Sequence, residues 1–268
     1  MNKKEIITKS DFILSLGTMF FNKEELKNLI IESIEKTDTK LVYMHPIENI
    51  DLKPFCTQFI KYEAGSEEGI LALILENFVK ETTDKIQKFI NDLDLGYISA
   101  ESSAGEEEFE EAYENSKKFQ FKTLIIGEDL IEHPRVENIV KLLSIIKKYT
   151  DFNLVVLDSD FEERINSCEN FDLEEIAELK SFDGTIVYRV IEDKQNENLI
   201  TSKSFAQIAK IENNDEVFLN YKSSKIKKTI KIDEKLHGTI AILNTRDSNE
   251  EIFSNYRYKQ VKIEKVDA

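Results

Sequence analysis

DFILSLGTMFFNKEELKNLIIESIEKTDTKLVYMHP, Asp11 to Pro46, is the stretch that decides the fold. Asp11 to Gly17 is an apolar run ending on a glycine, and Lys40 to Pro46 is a second, closed by proline. Between them, Asn22 to Lys36 sets Leu26, Leu29, Ile30, Ser33 and Ile34 on one helical face. Asn22, with Glu25 three residues on, is the expected N-cap, because the two side chains can satisfy free amides of the first turn. Strand, helix and strand in this order make a βαβ unit, expected to be right-handed.

The same order returns further along. FKTLIIGE (Phe121 to Glu128) is a strand ending at Gly127, VENIVKLLSIIKKY (Val136 to Tyr149) a helix entered through His133-Pro134, and NLVVLD (Asn153 to Asp158) the next strand. Two βαβ halves in one open, mostly parallel sheet account for the repetition. Between the halves, Gly65-Ser66-Glu67-Glu68-Gly69 turns the chain into a helix with Ile70, Leu71, Ile74, Leu75 and Phe78 inward. SSAGEEEFEEAYENSKK (Ser102 to Lys118) reads as a loop and an exposed helix. The apolar content thins around Cys168, which makes that segment the expected linker. Beyond it GTIVYRV, LITSKSFAQIA, DEVFLNYK, KIKKTIKI, GTIAILN and YKQVKIEKV are short runs separated by turn residues. The expected fold class is α/β: a Rossmann-like domain over residues 1–170, then a small β-barrel-like domain over 180–268.

Composition narrows the function classes. Lys and Arg number 36 against 52 Asp and Glu, a formal charge of -16, and such a field repels phosphate backbones and anionic headgroups. Nucleic acid is an unsuitable partner, and no run of about eighteen apolar residues offers direct membrane insertion. Two cysteines, Cys56 and Cys168, and three scattered histidines make no local set for zinc or an iron–sulfur cluster. No metal and no cofactor is expected on this chain, and a cytoplasmic location follows by default.

DFILSLGTMF, then KLVYMHPIENIDLKPFCTQFIKYEAGSEEGILALI, then FKTLIIGEDLIEHPRVENIVKLL resemble the molybdopterin-oxidoreductase-like region of the G subunit of the proton-pumping NADH-quinone oxidoreductase, in the form of the Campylobacter and Helicobacter group. GTIAILN, after His237, resembles a strand of that family's C-terminal domain. The resemblance implies a pterin-dinucleotide cradle built from a first glycine turn, matched by Gly17-Thr18, and a glycine loop, matched by Gly65-Ser66-Glu67. Where the family has an acidic residue and proline closing the second strand, His45-Pro46 stands here, so a charge-assisted bond to the nucleotide is missing. The cysteine-rich cluster region of a full-length G subunit and its relatives' metal ligand have no counterpart.

Each candidate residue has a plainer reading beside the functional one. Gly17 and Gly127 either admit a phosphate to the backbone or simply turn the chain. Gly65 and Ser66 are either a pterin-loop remnant or a helix cap, with Ser66 as N-cap. His45 lies where open sheets carry active residues, but no serine, cysteine or aspartate is visible with it as nucleophile or orienter, and a packed histidine suffices. Glu128 and Asp129 would repel a phosphate. Glu106 to Glu108, with Glu110 and Glu111, either dock a basic partner or form a solvated helix face. No catalytic residue is assigned.

The expected function is that of a non-catalytic, cluster-free relative of the G subunit, a structural or docking subunit of a respiratory complex's peripheral arm. Its partners would be the other subunits, holding it at the inner face of the cytoplasmic membrane. The alternative is a stand-alone oxidoreductase or nucleotide- or pterin-binding protein using the crevice between the two βαβ halves.

Overall fold

The computed structural model describes every residue except 177, 180, 181, 183, 192–196, 246–251, 253, 254, 267 and 268, and Asn22 by its backbone alone. It divides into two compact units, Met1–Pro46 with Asp51–Ser181, and Ile47–Ile50 with Phe182–Ala268.

In the first unit the elements run α1 (Lys3–Lys9), β1 (Phe12–Leu16), α2 (Glu24–Thr37), β2 (Lys40–Met44), β3 (Gln58–Ile60), α3 (Glu67–Phe78), α4 (Asp84–Asn91), α5 (Leu95–Ser102), α6 (Glu106–Ser116), β4 (Lys122–Ile126), α7 (Val136–Tyr149), β5 (Phe152–Val156) and α8 (Ser159–Ser167). The five strands form one fully parallel sheet in the order β3-β2-β1-β4-β5. Strand order reverses at β1, so a switch point opens between the C-terminal ends of β1 and β4, where open α/β sheets bind ligands. The sheet is covered on both faces, which is why its strands read as unbroken apolar runs. Phe12, Leu14, Leu16, Leu124 and Ile126 pack with Ile70 to Leu75 of α3 and Ile139 to Ile146 of α7. Ile13 and Ile125 point the other way, to Ile7 of α1 and Ile30 of α2.

Several local expectations are corrected. The N-cap of α2 is Lys23, without a side-chain hydrogen bond, because a 3-10 turn over Phe20–Asn22 carries the chain one residue past Asn22. Ser66 occupies the N-cap position of α3 but makes no capping bond. The acidic stretch forms the expected helix, α6, but that helix is only partly exposed: it buries Phe109, Ala112 and Ser116, and Phe109 and Ala112 join the core beside α3. The expected linker around Cys168 is irregular from Cys168 to Ile176, and the two units divide after Ser181; what the sequence did not show is α8 just ahead of it, which Asp158 starts by accepting a hydrogen bond from the Phe161 amide at 2.7 Å. Phe161 and Ile165, one turn apart, are the only residues it buries. An amphipathic signal of two residues is too short to read as a helix.

The second unit holds β6 (Ile186–Ile191), β7 (Asn198–Thr201), α9 (Lys203–Ala209), β8 (Glu216–Tyr221), β9 (Ser224–Ile232), β10 (Ile240–Thr245), β11 (Tyr258–Gln260) and β12 (Lys262–Lys265). Its sheet runs β11-β6-β10-β7-β9-β8-β12. The outermost strands, β11 and β12, are separated in sequence only by Val261, so the sheet curls round to a near-barrel, as expected of a closing β architecture. The run LITSKSFAQIA is not one strand: Ser202 Oγ accepts from the Phe205 amide at 2.9 Å and starts α9.

Candidate functional site at the C-terminal end of the parallel sheet

β1 leaves the sheet at Gly17, whose φ of +63° is a conformation that glycine adopts without a Cβ penalty. The turn drops the chain onto the start of the loop after β4. The Gly127 amide donates to Leu16 O at 2.8 Å, the Asp129 amide to Gly17 O at 3.3 Å, and a Cβ on Gly127 would overlap the Gly17 carbonyl. Two of the expected site residues, Gly17 and Gly127, are thus brought together, but against each other. Leu130 and Asp129 close over Gly17 from the same loop.

His45, at the end of β2, is fully buried, and its Nε2 lies 3.2 Å from Asp129 Oδ2, also fully buried. The imidazole stacks on Tyr43, ring centroids 5.7 Å apart and planes within 7°. Tyr43 in turn donates its hydroxyl to Thr18 O at 3.1 Å. Burial raises the Tyr43 phenol well above its ordinary pKa, and the negative fields of Asp129 and then Cys56 raise it further. The carboxylate that the local sequence around His45 does not show is therefore Asp129. It reaches His45 across β1 from 84 positions later, a separation that no local pattern reveals.

A second histidine–carboxylate group forms at the N-terminus of α3. Gly65, with φ +93°, presents its carbonyl to His133 Nε2 at 3.2 Å, and Glu67 Oε2 lies 3.5 Å from the same nitrogen. Nδ1 of His133 accepts from the Arg135 amide at 3.0 Å, so in the neutral ring Nε2 carries the proton, toward Gly65 and Glu67. His133 is more than a helix entry: α7 begins three residues later and the ring ties it to the α3 loop. Arg135 Nε binds both carboxylate oxygens of buried Glu68, at 3.1 and 3.2 Å, and Asn138 Nδ2 adds a third bond at 2.6 Å. Glu67 and Glu68 suit the positive end of α3 electrostatically.

Of the expected site residues, Gly17, Thr18, His45 and Gly127 gather around Asp129, and Gly65 and Ser66 around His133. Thr18 Oγ1 and Ser66 Oγ are buried hydroxyls without a hydrogen-bond partner among the described residues. Asp129, Glu67, Glu68, Arg135 and Asn138 complete the arrangement; Glu67 lies in the matched Gly65-Ser66-Glu67 loop, but nothing in the local sequence of Asp129, Arg135 and Asn138 marks them as partners of His45 and Glu68. In this conformation the residues do not fit a dinucleotide diphosphate: the switch point is filled by backbone, and three buried carboxylates stand where phosphates would approach. Glu128, the other acidic residue expected to repel, is held by Lys23 at 2.6 Å. Among the described residues no group of three or more His, Cys, Asp or Glu is placed to hold a metal ion, both cysteines are free thiols, and no helix is long and apolar enough to cross a membrane.

No protein-family model matches the sequence, and no curated protein sequence matches it either. Among solved structures the chain is similar to acetylene hydratase from Pelobacter acetylenicus. The TM-score is 0.58 at 7% identity, over 98% of this chain and 78% of that one. At that identity the likeness is one of fold alone.

Proposed function

We propose that this chain is a non-catalytic, cluster-free scaffold related in fold to molybdopterin oxidoreductases, acting as a structural and docking subunit in the peripheral arm of an NADH-quinone oxidoreductase. The observation that carries the reading is the closed switch point. Gly17 packs on Gly127, and the His45–Asp129 pair is sealed from solvent beside it. A general base must come within hydrogen-bond reach of its substrate, and a fully buried His45 does not. The assignment to a respiratory complex rests on the sequence resemblance to the G subunit alone.

A second reading, a nucleotide- or pterin-binding protein, draws more directly on the fold likeness to an enzyme. It also draws on Thr18 Oγ1 and Ser66 Oγ, two buried hydroxyls that a ligand could satisfy. It requires the Gly17 and Gly127 turns to part. Native mass spectrometry of the tagged chain recovered from its own cells tests both. Stoichiometric quinone-oxidoreductase subunits with no added mass support the scaffold. A chain recovered alone with a dinucleotide-sized adduct overturns it in favour of the second reading.

A further inference from the structure

The net charge of this protein resides in one of its two units. Residues 1–46 and 51–181 carry 37 Asp and Glu against 21 Lys and Arg, whereas residues 47–50 and 182–268 carry 15 against 15. The density is greatest over residues 158–178, with nine acidic side chains and one arginine. Some are engaged internally: Asp158 caps α8, Glu162 meets Lys3, Asp172 meets Lys85, and Glu174 meets Arg135 and Lys141. Glu175 and Glu178 have no basic partner among the described residues and are exposed, as is Asp92 at the end of α4.

Two of these surplus carboxylates, Asp92 and Glu175, stand beside an apolar cleft. The turn after α4 and the irregular run leading to Ile176 enclose about 390 Å³. Phe89, Leu93, Leu173 and Ile176 supply apolar walls continuous with the main core, while Asp92, Asp94 and Glu175 stand at the rim. Asp94 Oδ1 is already occupied in capping α5, accepting from the Tyr97 amide at 3.0 Å, so Asp92 and Glu175 are the uncommitted charges. The volume is at the small end of the range for ligand pockets, roughly 300–1,000 Å³, and suits a few apolar side chains. The cleft lies between a helix and a run without strand structure, so an occupant gains side-chain contacts here rather than a sheet ladder.

We infer that this cleft docks a basic amphipathic helix of a partner protein, its apolar side chains seated on Phe89, Leu93, Leu173 and Ile176 and its Lys or Arg residues facing Asp92 and Glu175. An acidic segment would meet uncompensated like charge, and a neutral one would leave the rim carboxylates desolvated without gain. The inference rests on the docking reading above and gives it a location and a partner chemistry.

The test uses the full chain and a fluorescent synthetic leucine–lysine peptide with helical i, i+3, i+4 spacing. Its comparators are a scrambled peptide of the same composition and an analogue with Glu for every Lys. Fluorescence anisotropy should show the patterned basic peptide binding at least about tenfold tighter than either comparator, with affinity falling as salt rises toward about 0.15 M. Asp92→Lys with Glu175→Lys should weaken it at least about tenfold and admit the Glu analogue. Glu110→Lys with Glu111→Lys, on α6, should change affinity by less than about threefold. Asp92 and Glu175 are exposed, and a lysine at the end of α4 suits its dipole, so the variant should fold, as circular dichroism would verify. Equal losses from the two double variants, or scrambled and patterned peptides binding alike, would overturn the inference. Unchanged copurification of the Asp92/Glu175 variant with complex subunits would also reject the cleft while leaving the docking reading intact. Cleft-specific peptide binding by a chain that copurifies with nothing would do the reverse.

Discussion

His45 Nε2 and Asp129 Oδ2 stand 3.2 Å apart, and neither side chain reaches solvent. The pair joins the end of β2 to the loop after β4, across β1, so it ties both βαβ halves together at the edge where they diverge. Removing one partner of a buried pair leaves the other desolvated, typically at a cost of about 3–5 kcal/mol. Asp129→Ala should therefore destabilise the first unit by about that amount, and Asp129→Asn, which keeps a hydrogen-bond acceptor, by roughly half. Urea unfolding followed by circular dichroism measures both. A loss below about 0.5 kcal/mol for the alanine variant would show that the pair ties nothing.

Gly127 makes a sharper steric demand than Gly17. Its φ of -84° is ordinary, so backbone preference does not require glycine there, but an added Cβ would collide with the Gly17–Thr18 backbone. At Gly17 the nearest atom is the side-chain tip of Leu130, which can rotate, although the positive φ adds strain. Gly127→Ala should cost about 3 kcal/mol or more by forcing two strand ends apart. As a control, Gly96→Ala in α5 meets only the Asp94 side chain at 3.6 Å and should gain up to about 1 kcal/mol from helix propensity. Denaturation midpoints in the same buffer decide it, and equal behaviour of the two variants would sink the packing argument.

Tyr43 predicts an alkaline limb in the stability curve. Its phenol is raised by burial first, then by Asp129 and Cys56, so the native state holds the proton more tightly than the unfolded chain. A raised folded pKa contributes stability that is complete below about pH 10, where unfolded tyrosine ionises, and is lost as pH rises above it. Tyr43→Phe should cost about 1 kcal/mol at neutral pH by deleting the bond to Thr18 O. Above pH 10 it should flatten the decline by up to about 1.4 kcal/mol per pH unit. Parallel wild-type and variant curves from about pH 8 to 11.5 would rule the titration out.

The parallel sheet was legible because Ile13, Leu14, Leu124 and Ile125 are buried on both faces and print as solid apolar runs, and α7 matched residue for residue. β3, three residues long, and α8, with two buried anchors, left too little period to read. Ser202 hid α9 because a capping serine inside an apolar run looks like strand alternation. The candidate site was half legible. Glycine turns mark Gly17 and Gly127 locally, but the partners that fill the crevice, Asp129 for His45 and Glu67 for His133, are 84 and 66 positions away and are set by the fold. His45 looked solitary for that reason.

Arg135 extends the same logic from the site to the acidic cleft. Its guanidinium holds both oxygens of buried Glu68, Glu174 Oε2 at 2.6 Å and the Glu175 carbonyl at 3.0 Å, so one side chain pins the irregular run before Ile176 to α3. Glu68, before all other causes, holds the Arg135 pKa above its ordinary value. Arg135→Ala leaves Glu68 with Asn138 as its remaining side-chain donor among these bonds and should cost about 2–3 kcal/mol, discounted for the partial exposure of the arginine. Arg135→Lys, a point charge without the planar fork, should recover less than half of that. A general weakening of the core would produce the same global loss, so the local signature is the Glu174 amide, now bonded to Asn138 Oδ1 at 2.8 Å. Hydrogen exchange there should accelerate at least about tenfold in Arg135→Ala under native conditions while amides of β1 and β4 stay protected. If the Glu174 amide keeps its protection, Asn138 alone anchors the run and the cleft does not depend on Arg135. If it exchanges freely and peptide affinity at the cleft falls with it, the buried carboxylate of α3 shapes the docking surface from beneath.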